Sequence, residues 1–203
     1  MSAKAATSQR RTFALLLSLS LLFHGATALG SIIYVADSNN GVIDKVTSSG
    51  MVSTFATGIP HPYSCDVAPD GALFVGGVGG RYYYLPGIIY KVTPDGAVFV
   101  FATVQSDPGA ITHDASGTLY VANGYARTIS KVGTNGVVSQ FASIPDEPTG
   151  LAFDSIGNLF VATLNTGIYE VNRNGVVSLF HSRVFSTGAS GLAIDARQQP
   201  LPK

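Results

Sequence analysis

Apolar and polar positions alternate along this chain in short runs, and the same run returns at a regular interval. Ile33-Tyr34-Val35-Ala36, Leu73-Phe74-Val75-Gly76, Leu119-Tyr120-Val121-Ala122 and Leu159-Phe160-Val161-Ala162 begin 40, 46 and 40 residues apart. β-Branched and aromatic residues fill these runs, as half-buried strands require. Each copy predicts four strands. The run just given is the second, B. The first, A, falls at 64–67, 110–113, 150–153 and 191–195; C falls at 42–46, 88–92, 128–132 and 167–171; D falls at 51–56, 97–102, 137–142 and 176–181. Ser49-Gly50, Asp95-Gly96, Asn135-Gly136 and Asn174-Gly175 sit between C and D, where a residue that accepts positive φ closes a tight hairpin. Strands alone, repeated at this period, point to an all-β β-propeller of four-stranded blades with about four blades present.

The two ends of the repeat leave its closure open. The first copy begins at strand B, and the last stops at strand A, 191–195, ahead of an irregular tail with two prolines at 197–203. Strand 191–195 could complete the blade at 33–56 and close a small ring. Equally, the four copies could form an open arc of a larger propeller, in which case exposed blade faces would favour self-association.

The phrase Pro148-Thr149-Gly150-Leu151-Ala152-Phe153-Asp154, followed by Gly157-Asn158-Leu159-Phe160-Val161-Ala162, resembles the NHL repeat and the wider gluconolactonase-like propeller superfamily, which includes senescence-marker and strictosidine-synthase-like proteins. Ile33-Tyr34-Val35-Ala36-Asp37-Ser38-Asn39-Asn40 is a second match, and the resemblance spans most of residues 31–196. It implies a larger ring than four copies supply, about six blades within the usual range. It also implies metal-dependent lactonases among its members, which hold a divalent ion with convergent Glu, Asn and Asp. Just before each strand A, where such a ligand would sit, this chain carries Tyr63, Gly109, Thr149 and Ser190, none of them acidic or Asn.

Residues 1–28 carry a different pattern: Lys4, Arg10 and Arg11, then an apolar stretch over 13–23, then Ala26-Thr27-Ala28. That is the layout of a secretion signal, too short for a membrane anchor, and it predicts a secreted or periplasmic protein with one propeller domain over 29–196. Without its three basic residues, nine Lys and Arg remain against 12 Asp and Glu. A mildly acidic chain with no basic cluster argues against nucleic-acid binding, and no membrane span follows the signal. Cys65 is the sole cysteine, so there is no internal disulfide, and its apolar strand suggests a small buried side chain.

Candidate chemistry lies in the loops from D to A and from B to C, which share one end of the blades. These supply the ligand-binding candidates Asp37, Asn39, Asn40, His61, Tyr63, Asn123, Tyr125 and Arg127. They also supply Arg81, Tyr82, Tyr83 and Tyr84, in a six-residue excess between B and C of the second copy, where flat aromatic faces suit a protein, peptide or carbohydrate partner. Asp37, Asp107 and Glu147 are weak metal candidates. No Gly-x-Ser-x-Gly elbow is present, and His113 and His181 replace apolar strand residues, so nucleophilic hydrolysis has no motif behind it. The expectation is a non-catalytic binding or scaffold module with no cofactor. The alternatives are a lactonase-like hydrolase using a divalent cation, or a propeller with no independent function.

Overall fold

The computed structural model describes residues 31–78, 86–182 and 191–194. The signal at 1–28, the cluster Arg81 to Tyr84, Ser190, Asp195 and the tail at 197–203 lie outside them.

Among the described residues, fifteen strands form four antiparallel sheets in chain order. Blade 1 holds β1 (Ile33–Asp37), β2 (Val42–Val46) and β3 (Val52–Thr57). Blade 2 holds β4 (Pro62–Val67), β5 (Leu73–Val78), β6 (Gly87–Val92) and β7 (Val98–Val104). Blade 3 holds β8 (Pro108–His113), β9 (Leu119–Asn123), β10 (Thr128–Val132) and β11 (Val138–Ser143). Blade 4 holds β12 (Pro148–Phe153), β13 (Leu159–Thr163), β14 (Ile168–Val171) and β15 (Val177–His181). Each sheet is a simple meander, and neighbouring blades meet through their innermost strands, β1 on β4, β4 on β8 and β8 on β12.

The inner strands begin two residues earlier than the sequence pattern placed them. Each opens on a proline, Pro62, Pro108 or Pro148, which has no N–H to donate and so sits at the first position of a strand. A bulge follows at once: Pro62 pairs with Gly77 and Ser64 with Gly76, so Tyr63 is the extra residue, as are Gly109 and Thr149 in the next blades. Tyr63, Gly109 and Thr149, taken to precede strand A, are therefore bulged residues within it.

A second bulge recurs on the outer strands. Ile43 pairs with Ala56 and Asp44 with Thr54, leaving Phe55 unpaired; Phe101, Phe141 and Phe180 occupy the same place. Each of these rings packs on the aromatic residue of its own second strand, with centroids 4.9 Å apart for Tyr34–Phe55, 5.0 Å for Phe74–Phe101, 5.1 Å for Tyr120–Phe141 and 5.0 Å for Phe160–Phe180. In blades 1 to 3 a lysine of the third strand lies over this aromatic layer: Lys45 on Phe55, Lys91 on Phe74 and Lys131 on Tyr120. Each aromatic layer inside the stack faces the Leu-x-Val run of the following blade, and these contacts make up the core.

Cys65 is half-buried in that core, with its Sγ 3.7 Å from Tyr34 O. His113 Nδ1 and Asp66 Oδ2 lie 2.5 Å apart and tie β8 to β4. Of the two alternatives the sequence left open, the described residues 191–194 do not form the strand that would close a small ring. Residues 191–194 have no strand pairing and lie against β12, with Gly191 and Leu192 backbone atoms about Gly150, while β1 pairs only with β2. The inserted loop of blade 2 is partly hairpin: Gly77 pairs with Ile88 and Val78 with Gly87. Gly76 and Gly77 are buried there against Pro108, Pro60 and Tyr90, where a side chain would not fit.

Candidate functional site

Antiparallel meanders send the D-to-A and B-to-C loops to one end of the blades and the hairpin turns to the other. At the loop end, His61, Asp107 and Glu147 hold one register, each directly before the proline that opens an inner strand. The residue before that anchors the next blade's loop. Ser106 Oγ accepts from Ala126 N at 3.2 Å. Asp146 accepts from Asn165 N and Thr166 N at 2.7 and 2.9 Å, and from Asn165 Nδ2 and Thr166 Oγ1, both at 3.2 Å. Burial alone would raise the pKa of Asp146, but hydrogen bonds from Glu147 N, Asn165 and Thr166 outweigh it and hold the carboxyl at about 2.

Asp107 and Glu147 converge on Gly124. A side-chain carbon at Gly124 would stand 3.1 and 3.2 Å from the Asp107 carboxylate oxygens and 3.3 Å from Glu147 Oε1. Gly124 N donates to Asp107 O at 3.2 Å, Tyr125 N to Asp107 Oδ1 at 3.4 Å and Leu164 N to Glu147 O at 2.9 Å, so the backbone fixes both loops. Burial pushes Asp107 above the ordinary carboxylate range against hydrogen bonds from Tyr125 N and Ser106. Burial also raises Glu147, helped by the charges of Asp107 and Asp146 and opposed by Arg127. Two carboxylates held close, with a bare backbone between them, can accept hydrogen bonds from a donor-rich or cationic group and can exchange protons with it.

The other nominated residues fare differently. Asp37 and Asn123 hold equivalent positions and fasten their own hairpins. Asp37 accepts from Asn39 N and Asn40 N, both at 3.1 Å, and from Asn40 Nδ2 at 2.7 Å; that last bond is the main cause of its lowered pKa. Asn123 is fully buried, its Nδ2 3.0 Å from Thr128 Oγ1 and 2.9 Å from Ser130 Oγ. Thr163 plays the same part in blade 4, with its Oγ1 donating to Gly167 O at 2.8 Å. Asn39 and Asn40 are exposed in the blade 1 turn. His61 and Arg127 both adopt positive φ, 43° and 53°, in loops that reach the same end. Tyr63 and Tyr125 are exposed there.

Sequence reasoning missed Gly124 and Asp146, and also the shared register of His61, Asp107 and Glu147, although His-Pro, Asp-Pro and Glu-Pro stand in the sequence at the same phase of the repeat. The residues do not fit a resident divalent cation. Among those described, no three of His, Cys, Asp and Glu gather into a group that could hold a metal ion. Thr149, at a bulge where a ligand would be expected, donates its hydroxyl to Ala162 O at 3.2 Å. Two clefts lie at the opposite end: one of about 190 Å³ between blades 2 and 3, beside Lys91 and Ser116, and one of about 370 Å³ between blades 3 and 4, beside Lys131 and Arg173.

No protein-family model matches the sequence, and no curated protein matches it. Solved structures do match its fold. A gluconolactonase from Xanthomonas campestris superposes with a TM-score of 0.66 at 19% identity, over 79% of this chain and 60% of that one. A putative gluconolactonase superposes with a TM-score of 0.66 at 15% identity, over 81% and 63%. Virginiamycin B lyase from Staphylococcus aureus superposes with a TM-score of 0.60 at 18% identity, over 72% and 50%. The chain thus spans between half and two thirds of the length of these propellers. At such identities the likeness concerns the β-propeller fold, which hosts many unrelated activities.

Proposed function

We propose that this protein is a binding module whose loop end, carrying Asp107, Glu147, Tyr125 and Arg127, engages a partner that presents a cationic or donor-rich group. The observation behind this reading is the convergence of the two carboxylates on Gly124, which leaves an acidic notch floored by backbone. Half-buried, mutually repelling carboxylates gain most from a ligand that supplies positive charge or N–H and O–H donors. Tyr125 adds an exposed ring beside the notch, suited to peptide or sugar.

Amide NMR spectra recorded during titration with a lysine-rich peptide, and separately with a neutral oligosaccharide, test the proposal. Saturable shifts at Gly124 and Tyr125, lost in the Asp107→Asn/Glu147→Gln double variant, are expected. No shift with either probe, or shifts that persist in the double variant, would overturn it. A hydrolytic reading draws on the raised pKa of both carboxyls, a property acid–base pairs use. Lactone hydrolysis by the parent, abolished by Asp107→Asn, would replace the binding-only reading.

A further inference from the structure

We propose that a second copy of this chain docks head to tail, its blade 1 seated on the free face of blade 4. The three blade interfaces inside the chain share three parts, and each part has an unused counterpart on the two terminal blades.

The first part is the aromatic pair of the leading blade. Phe160–Phe180 is the fourth such pair, and Phe180 is 60% exposed. The second is the apolar run on the second strand of the following blade. Val75, Val121 and Val161 are each 0% exposed at their interfaces, whereas their blade 1 counterpart Val35 is 44% exposed and its neighbour Ile33 is 52% exposed. The third is the glycine of the turn between the third and fourth strands of the following blade, which abuts the carbonyl of the bulged phenylalanine ahead of it. Gly96 meets Phe55 O, Gly136 meets Phe101 O and Gly175 meets Phe141 O; a side-chain carbon would stand 2.8 Å from the carbonyl at Gly136 and nearer still at the other two. Gly50 has the same positive φ, 79°, and nothing within 4 Å of that position.

Residues 191–194 complete the fit. They lie beside Gly150 of β12 as Pro108 lies beside Ser64, the counterpart of Gly150 on β4, whose Oγ donates to Pro108 O at 3.2 Å, which is where the inner strand of a following blade belongs. Among the described residues, blade 1 is the blade without an inner strand. A largely apolar cleft of about 260 Å³, lined by Phe160, Ile168, Phe180, Leu192 and Ile194 with Asp154 at its edge, waits on that face. A docked copy would fill it with Ile33 and Val35, and its β1 edge would find hydrogen-bond partners along 191–194. Such an interface is heterologous: the two surfaces differ, and each copy keeps one of each available.

Sedimentation velocity on the full chain over a range of concentrations should show dimers or larger species. Val35→Lys and Phe180→Lys, both exposed positions, should each give monomers with the parent's thermal midpoint at high dilution. Mixing the two variants should restore a one-to-one dimer, because each retains the face the other has lost. In the parent alone, hydrogen exchange of the β1 amides should slow as concentration rises. A parent that stays monomeric at every concentration, variants that associate like the parent, or a mixture that stays monomeric would each overturn the proposal. So would a monomer whose β1 amides are already protected, since the chain's own segment would then occupy the face.

Discussion

Asp146 and Glu147 are neighbours on one loop, yet they bear on stability with opposite signs. Asp146 is held at about 2 by the donors of the next blade. Its contribution is therefore present above the ordinary aspartate value near 3.8 and lost as pH falls through about 2. Asp146→Ala leaves those donors unmatched and should cost about 2 kcal/mol at neutral pH, measured by urea unfolding, with the difference from the parent shrinking in acid. Asp107 and Glu147 have raised values, so their ionised forms work against folding once pH rises through those values. Glu147→Gln should accordingly raise the thermal midpoint at neutral pH and leave it unchanged in strong acid; a fall at neutral pH would mean that the Arg127 attraction dominates. The loops holding these residues could be read from the sequence, but their convergence could not. It depends on the rotation between adjacent blades, which brings the loop of blade 3 under the carboxylates entering blades 3 and 4.

The bulged phenylalanines give each blade its characteristic packing, and their value depends on whether another blade covers them. Phe101→Ala and Phe141→Ala open space inside an interface and should cost about 2–3 kcal/mol. Phe180→Ala, made in dilute protein, should cost under about 1 kcal/mol, because the ring already meets solvent. Equal losses at all three would show that the ring-on-ring contact within a blade matters more than the cover. Much at this scale was legible: Leu-x-Val marked the second strands, and Asn-Gly or Asp-Gly marked the turns. The bulges were not, because an extra residue leaves the alternation of the run intact on either side. The early start of the inner strands was masked by proline, whose pairing depends on its place at the strand's first position. Asp114 accepts from Ser116 N at 2.9 Å and Asp154 from Asn158 N at 2.8 Å, each carboxylate capping the turn that follows its inner strand.

Over the whole molecule, each blade touches its neighbours and little else, so stability is close to a sum of blade and interface terms. Among the described residues, blades 2 and 3 are covered by a blade on both faces and blades 1 and 4 by a blade on one. Amide exchange should therefore be slowest in β5 and β9 and fastest in β1 and β15; uniform protection would point to a single cooperative unit. The meander topology also decides how the protein bears a load. Every strand among those described pairs with its neighbours in sequence, so no strand borrowed from a distant part of the chain clasps one blade to another. Pulled from its two ends in an optical trap, the molecule should peel from the outside inward, each event releasing one repeat of 40 or 46 residues, about 140 to 160 Å of contour length. A propeller assembled this way is mechanically a string of separate fastenings, and the force to open the next one should not depend on how many have already gone.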